Sequence, residues 1–505
     1  MIALLVFAAC QPHPVPVVAT LPEGHVVIAH TNDLHAHFEP NRADWLEGAP
    51  DIGGFGEIAA HIAALHKEKG DDHVLYLDGG DIMTGTPLME FESRGVRGGA
   101  MLDFMENAGM DAWVLGNHEF DIGYEHVSSL VAASTIPALS ANLDSKSDPG
   151  VPAIAGLQDH VIIDRAGLRI GIFGLTTDSL ARLTGTDAAD RMNVIAVEKA
   201  AAEQVALLEP QVDLVVALTH IGLDADKRIA EKVPGIDLIV GGHSHTPLLE
   251  PVQVGDTWVV QAGSYARQLG VTEMTVRDGR IVTFTSELRD LVPGGHPVPE
   301  SARNLEQQWM DRIEEHFAEE IGRVATGDLT RSRGAETTLG RWAADMVKFA
   351  ANTDVGIYNP GGLRSDLVEG ALTRGGLYQV FPFSNDVVRF EVTGAELVGL
   401  LLRNARSELD GNHPVMQMAG VRVTWRMRSG APELVEARVG NTLLDPDGTY
   451  TVATNSFVAD RWSYNLGFEP RNLVSEEITV FQAAVKLAGE GPIVPPPNPR
   501  MVHID

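Results

Sequence analysis

The chain has 505 residues, 44% hydrophobic and 21% charged, a globular balance at a length that calls for two or more domains. Asp and Glu outnumber Lys and Arg by 69 to 38, and the formal charge of -31 argues against a nucleic-acid polymer as partner. A phosphate-bearing ligand would have to be held locally, by metal ions or a few arginines.

One cysteine, Cys10, rules out an internal disulfide. It ends the apolar run MIALLVFAAC and precedes QPHPVPVV, a proline-rich stretch suited to an extended tether. The run is similar to the tail of a bacterial lipoprotein signal, although no Lys or Arg precedes it. The resemblance implies a signal and tether over residues 1–23, lipidation of Cys10, and a protein in the periplasm or at the cell surface. A lipid anchor on Cys10 would then be the sole membrane contact, since no other segment has the eighteen or so uninterrupted apolar residues of a membrane span.

Six short apolar runs follow: VVIAH (26–30), VLYL (74–77), AWVL (112–115), RIGIFGL (169–175), LVVAL (214–218) and DLIV (237–240). Between them lie helical patterns such as GEIAAHIAALHKEK (56–69), so residues 24–295 read as one α/β domain with a sheet buried under helices. After PGGHPVP (293–299), Leu305, Trp309, Ile313, Phe317 and Ile321 recur at steps of four. That stripe predicts an amphipathic linking helix within 296–323. Residues 324–505 resume a mixed α/β pattern, with Thr393 and Glu396 at capping-box spacing before a leucine-rich helix and an irregular tail at GPIVPPPNPR.

Five of the runs are followed within a few residues by potential metal ligands: Asp33 and His35, Asp81, Asn117, His220, then His243 with His245. Each alone reads as a turn former or a solvated histidine. Together they would converge, because ligands of open α/β sheets gather outside the carboxyl ends of the strands. Seven such residues suffice for two ions.

NDLHAH, LDGGD, LGNHEFD, ALTHIG and VGGHSH, in this order, resemble the calcineurin-like metallophosphoesterases, specifically the secreted 5'-nucleotidase and UDP-sugar hydrolase family. NPGGLRSDL, FPFSN and MQMAGVRV resemble that family's second, nucleotide-binding domain. The resemblance implies a four-layer α/β sandwich, a linking helix and a mixed α/β substrate-binding domain. It implies one metal on Asp33, His35, Asp81 and His245 and a second on Asp81, Asn117, His220 and His243, with Asp81 bridging. Oxygen and imidazole donors without thiolate suit zinc, manganese, iron or cobalt and do not choose among them. Two such ions can lower the pKa of a shared water and clamp both ends of an in-line displacement at phosphorus.

By the same resemblance His118 faces the substrate as charge stabiliser or proton donor, and Asp121 fixes its ring. Asp121 also reads as a helix N-cap, and Glu119 as structural. Asn359 would contact a nucleobase, Arg364 and Arg333 the phosphate, and Phe383 and Phe457 would stack the base, with Gly420 lining that pocket. Where the family carries an aspartate that grips the ribose, SFVADRWSYNLGF places Ser463, leaving Asp460 or Asn465 as substitutes.

The leading expectation is a monomeric dimetal phosphohydrolase of extracytoplasmic nucleotides. The alternative is a hydrolase of the same fold for a sugar phosphate, a cyclic nucleotide or a protein-bound thiosulfonate. A catalytically silent binding protein would be expected to lose ligands, and all nine metal and His-Asp positions are filled.

Overall fold

The computed structural model describes residues 24–43, 46–48, 50–145, 153–184, 191–383, 385–411 and 413–504. Cys10 and its predicted signal and tether lie outside the described residues. All six apolar runs form strands, each followed within two residues by Gly, Asp or Asn. His25–Thr31, Val74–Asp78 and Ala112–Val114 pair in parallel within a seven-stranded sheet. Leu168–Thr176, Leu214–His220 and Leu238–Val240 do the same in a six-stranded sheet.

The single buried sheet of the sequence reading is thus two sheets. Alternation along each strand explains why they pack face to face. Val26, Ile28, Leu75, Leu77 and Val114 meet Ile170, Ile172, Val216, Leu218 and Val240 in one core between the sheets. Val27, Ala29, Tyr76 and Trp113, on the opposite face of the first sheet, pack under the Phe55–Lys69 and Gly99–Asn107 helices. Phe173, Val215, Ala217 and Ile239 do so on the second sheet, under the Val197–Leu208 and Leu223–Lys232 helices. Four layers result, helix, sheet, sheet, helix, with the carboxyl ends of both sets of strands at one edge.

The predicted linking helix spans Glu300–Phe317. Trp309 and Phe317 are buried in the first domain's core, so the helix is a packed part of that domain as well as a connection. Ile321, expected on the same stripe, instead lies in the strand Glu320–Val324, which pairs with Gly370–Thr373 of the second domain.

The second domain centres on a five-stranded sheet that includes Val355–Tyr358, Asp386–Thr393 and Thr449–Asn455. The Thr338–Ala351 helix buries Leu339, Ala343, Met346 and Val347 against it. The Gly394–Asp410 helix starts at the Thr393–Glu396 capping box and buries Leu397, Leu400 and Leu401. Across the domain boundary the Tyr378 hydroxyl donates to Glu90 at 2.7 Å. No described helix is long and apolar enough to cross a membrane.

Candidate dimetal site

Six of the seven ligand candidates meet at the carboxyl ends of the strands, and Asn117 follows the Ala112–Val114 strand next to His118, whose amide donates to Asp81 Oδ1 at 2.8 Å. Asp33, His35 and His245 offer ligand atoms mutually within 4.8 Å, as do Asp81, His220 and His243. Asp81 Oδ2 lies 3.0 Å from His220 Nε2 and 3.9 Å from His35 Nε2, so one carboxylate joins the two groups. Asp33 Oδ1 stands 3.2 Å from His245 Nε2, and the Nε2 atoms of His35 and His245 are 3.2 Å apart. Asn117 Oδ1 and Asp33 Oδ1 are both buried with no hydrogen-bond donor, a costly arrangement that a bound cation would relieve.

Local structure aims these atoms. Asp33, His35, Asp81, His243 and His245 all have φ between 49 and 76°, a region non-glycine residues seldom occupy. Such strain concentrates where side chains are turned toward chemistry. His35 Nδ1 donates to the Thr84 carbonyl at 2.9 Å and His220 Nδ1 to the Gly79 carbonyl at 2.7 Å, which leaves each Nε2 as a donor atom for metal. The Asp33 Oδ2 atom is held by Asn32 Nδ2 at 2.7 Å and by the His243 amide at 2.9 Å. Gly79, Gly80, Gly241 and Gly242 leave room here: a Cβ on Gly242 would lie 2.4 Å from the Gly79 carbonyl oxygen.

Burial and neighbouring charges set the state of each ring in this pocket. Burial lowers the His35 pKa far below its usual value, aided by His245, so the ring is a neutral donor. Burial and the neighbouring His220 lower His243 to about 4. Burial would lower His220 as well, yet the Asp81 carboxylate overrides it and lifts the ring to about 10. The residues present fit divalent ions with nitrogen and oxygen donors.

Beside this group stands the His118–Asp121 pair, Nδ1 to Oδ2 2.7 Å, within a turn of 3-10 helix after Asn117. The Thr84 hydroxyl donates to the same Asp121 oxygen at 2.7 Å, a contact no sequence signal announced. Burial pulls the His118 pKa down, but Asp121 and Asp81 outweigh it and hold it above its usual value. Glu119 is fully buried, and its carboxylate accepts from the amides of Gly116, Asp81, Ile82 and Met83 at 2.6 to 3.2 Å. It fastens the LGNHEFD turn to the LDGGD turn.

The second domain closes over this centre. The Phe383 ring lies 5.9 Å from the His118 ring, and the Arg364 guanidinium 5.8 Å from the Phe383 ring centre. Burial lowers the Arg333 pKa, and the charges of Arg364 and Arg331 add to the effect. Among the described residues no carboxylate pairs with Arg333 or Arg364. Asn359 Oδ1 accepts from Asn455 Nδ2 at 2.8 Å, and Asn455 also caps the Ser456–Asp460 helix that carries Phe457. Phe457 is half-buried against the second domain's core.

Two expectations fare differently. Gly420 does not line this pocket: it packs against the Asp354 carbonyl, at the start of the Val355–Tyr358 strand, whereas Asn359 follows its end. Four extended residues separate the two, on the order of 13 Å. Its φ of 76° shows a turn requirement instead. Ser463 and Asp460 are exposed, while Asn465 is buried with Nδ2 unpartnered. Tyr265, also absent from the sequence reading, sits with its ring 4.5 Å from His37 and 5.3 Å from His245.

A two-sheet sandwich with acidic, amide and imidazole donors at its strand ends is the frame of a metal-dependent phosphoesterase. Residues 26–247 match the calcineurin-like phosphoesterase family and residues 318–464 the 5'-nucleotidase C-terminal domain. The chain is a phosphoesterase and belongs to the calcineurin-like phosphoesterases that carry a 5'-nucleotidase C-terminal domain. It is 28% identical over 484 residues to the trifunctional nucleotide phosphoesterase protein YfkN of Bacillus subtilis, a match covering 86% of this chain and 32% of that protein. This chain therefore spans about a third of that relative's length. It is 26% identical over 515 residues to a 5'-nucleotidase of Vibrio vulnificus, covering 90% of this chain and 88% of that one. The structure superposes on a 5'-nucleotidase precursor from Thermus thermophilus with a TM-score of 0.82 and 25% identity, covering 95% and 99% of the two chains.

Proposed function

We propose that the protein removes phosphate from extracytoplasmic nucleotides, with one divalent ion on Asp33, His35, Asp81 and His245 and a second on Asp81, Asn117, His220 and His243. Two ions there would supply Lewis-acid activation of water and charge neutralisation at the phosphoryl group. The chain's own residues supply the rest. Arg364 and Arg333, free of carboxylate partners among the described residues, hold the phosphoryl oxygens. His118, kept in one orientation by Asp121 and Thr84, stabilises charge or gives a proton to the departing alkoxide from Nε2. Phe383, Phe457 and Asn359 take the base.

The observation that carries this reading is Phe383 and Arg364, from the second domain, standing over His118 of the first. A ligand there would touch both domains, with its phosphate toward the metal group and its base toward the second domain. Lipid anchoring through Cys10 belongs to the same reading and rests on MIALLVFAAC alone. The exposure of Ser463 favours a second reading, in which the same centre hydrolyses an ester without a nucleoside.

Phosphate release from AMP, UDP-glucose, 2',3'-cyclic AMP, ribose 5-phosphate and p-nitrophenyl phosphate separates the two, with added phosphatase to reveal monoester products. The nucleotide reading expects AMP to exceed the simple esters about tenfold or more in kcat/KM, equivalent to about 1.4 kcal/mol of base or ribose recognition. Equal or better turnover of the simple esters would transfer the assignment to the second reading.

A further inference from the structure

The segment after Phe457 departs from the family pattern, and it makes a contact of its own. Two short helices, Ser456–Asp460 and Trp462–Asn465, join at Arg461. The Arg461 backbone is fixed on both sides. Its amide donates to the Phe457 carbonyl at 3.1 Å, and its carbonyl accepts from the Tyr464 and Asn465 amides at 3.1 and 2.9 Å. Arg403 Nη1 holds the Tyr464 carbonyl at 2.9 Å.

From that fixed joint the guanidinium reaches the other domain. Arg461 Nε donates to the Thr184 carbonyl at 2.9 Å and Nη2 donates to the same oxygen, across 277 residues of chain. Thr184 is as firmly placed: it is buried, and its amide and hydroxyl both donate at 3.0 Å to the Leu180 carbonyl. Leu180 belongs to the first domain's core. Two hydrogen-bonded segments of different domains are therefore joined through the Arg461 side chain.

We infer that Arg461 is a positioning residue that ties the Phe457 helix to the metal-bearing domain and so sets the closed form of the cleft. This rests on the nucleotide reading above. Arg461 follows Phe457 by four residues, one helical turn, so the tie acts on the face that carries the ring. A base on Phe457 and a phosphate at the metal group sit on different domains. Their separation is productive only when the domains keep a fixed spacing, and the reacting atoms tolerate little error. The Arg461–Thr184 contact supplies that spacing from the protein itself.

The test compares Arg461→Ala and Arg461→Lys with wild type. Arg461→Ala is expected to raise KM for AMP tenfold or more and to lower kcat/KM for p-nitrophenyl phosphate, which meets the second domain through Arg364 and Arg333 but has no base, by a clearly smaller factor; Arg461→Lys regains part of the loss. Equal effects on both substrates, no effect on AMP, or no recovery with lysine would overturn the inference. Hydrogen exchange provides a readout independent of the substrate. Exchange over 177–184 and 456–466 should quicken in Arg461→Ala while 359–367 keeps its rate; unchanged exchange in the two facing segments would overturn the tie. Should wild type show no preference for AMP, the nucleotide reading fails on that result alone and hydrogen exchange decides the tie.

Discussion

Thr84 and His118 share one acceptor: the Thr84 hydroxyl and the His118 Nδ1 each lie 2.7 Å from Asp121 Oδ2. The carboxylate is thereby held from the LDGGD side while it orients the imidazole from the LGNHEFD side. His118 Nε2 is left for the substrate. The ring is not counted among the proposed metal ligands, although it lies 5.0 Å from the His35 ring.

His118→Ala should therefore lower kcat by about 10²- to 10⁴-fold, the usual reach of a positioned acid or base. Metal content by atomic emission should stay at the wild-type value. Loss of both ions in the variant would make His118 a ligand rather than a proton donor. Asp121→Asn should fall between, because an amide still accepts from Thr84 but no longer favours the charged ring.

Gly116 predicts a different failure. A Cβ there would lie 2.1 Å from Asp81 Oδ1 and 2.6 Å from the Asp81 amide nitrogen, and the backbone atom cannot yield. Gly116→Ala should push Asp81 out of its shared position and weaken metal binding about tenfold or more, as changes behind a ligand commonly do. Titration of the metal-stripped variant with Mn²⁺ checks this; wild-type affinity would show that Asp81 is not the link between the two groups.

The two phenylalanines should separate by substrate. Phe457→Ala removes a stacking surface worth about 1–3 kcal/mol per base and should raise KM for AMP about 5- to 150-fold while sparing p-nitrophenyl phosphate. Phe383→Ala should impair both substrates, since its ring stands against His118 and under Arg364. Matching losses for Phe457→Ala on both substrates would remove it from the base pocket.

Asp237 gives a stability prediction with a sign. Burial, with Glu209 nearby, raises its pKa to about 6 while Oδ2 accepts from the Val215 amide at 2.8 Å. Below about pH 4 the group is neutral in folded and unfolded chains and costs nothing. As pH rises from about 4 to 6 the unfolded chain ionises first, so stability falls, and the loss is complete above the folded pKa. Asp237→Asn removes this penalty. Its melting temperature relative to wild type should thus improve from pH 4 to pH 8, by the equivalent of at most about 3 kcal/mol. A constant difference over that range would contradict the shifted carboxyl.

The strand-end chemistry was legible because each apolar run breaks into polar residues that strands otherwise avoid, and six runs became six strands. Which sheet each strand joins was not legible. Val26 and Val27 look alike in sequence, and only tertiary packing sends one to the core between the sheets and the other beneath helices. The stripe ending at Ile321 misled because a step of four continues by chance into a strand whose partner, Gly370–Thr373, lies some fifty residues on. Gly420 was misplaced for a related reason: sequence gives a strand but not which end faces the cleft. Thr84, Tyr265 and Arg461 act through contacts with residues distant in sequence, which no local pattern carries.

Metal stoichiometry tests most directly whether Asp81 links a pair of ions. Protein stripped with chelator, reloaded with Mn²⁺ or Zn²⁺ and freed of excess should carry two ions per chain, and Asp81→Ala should carry fewer than one. A wild-type value of one or none, or an Asp81→Ala variant that keeps both ions, would contradict the account.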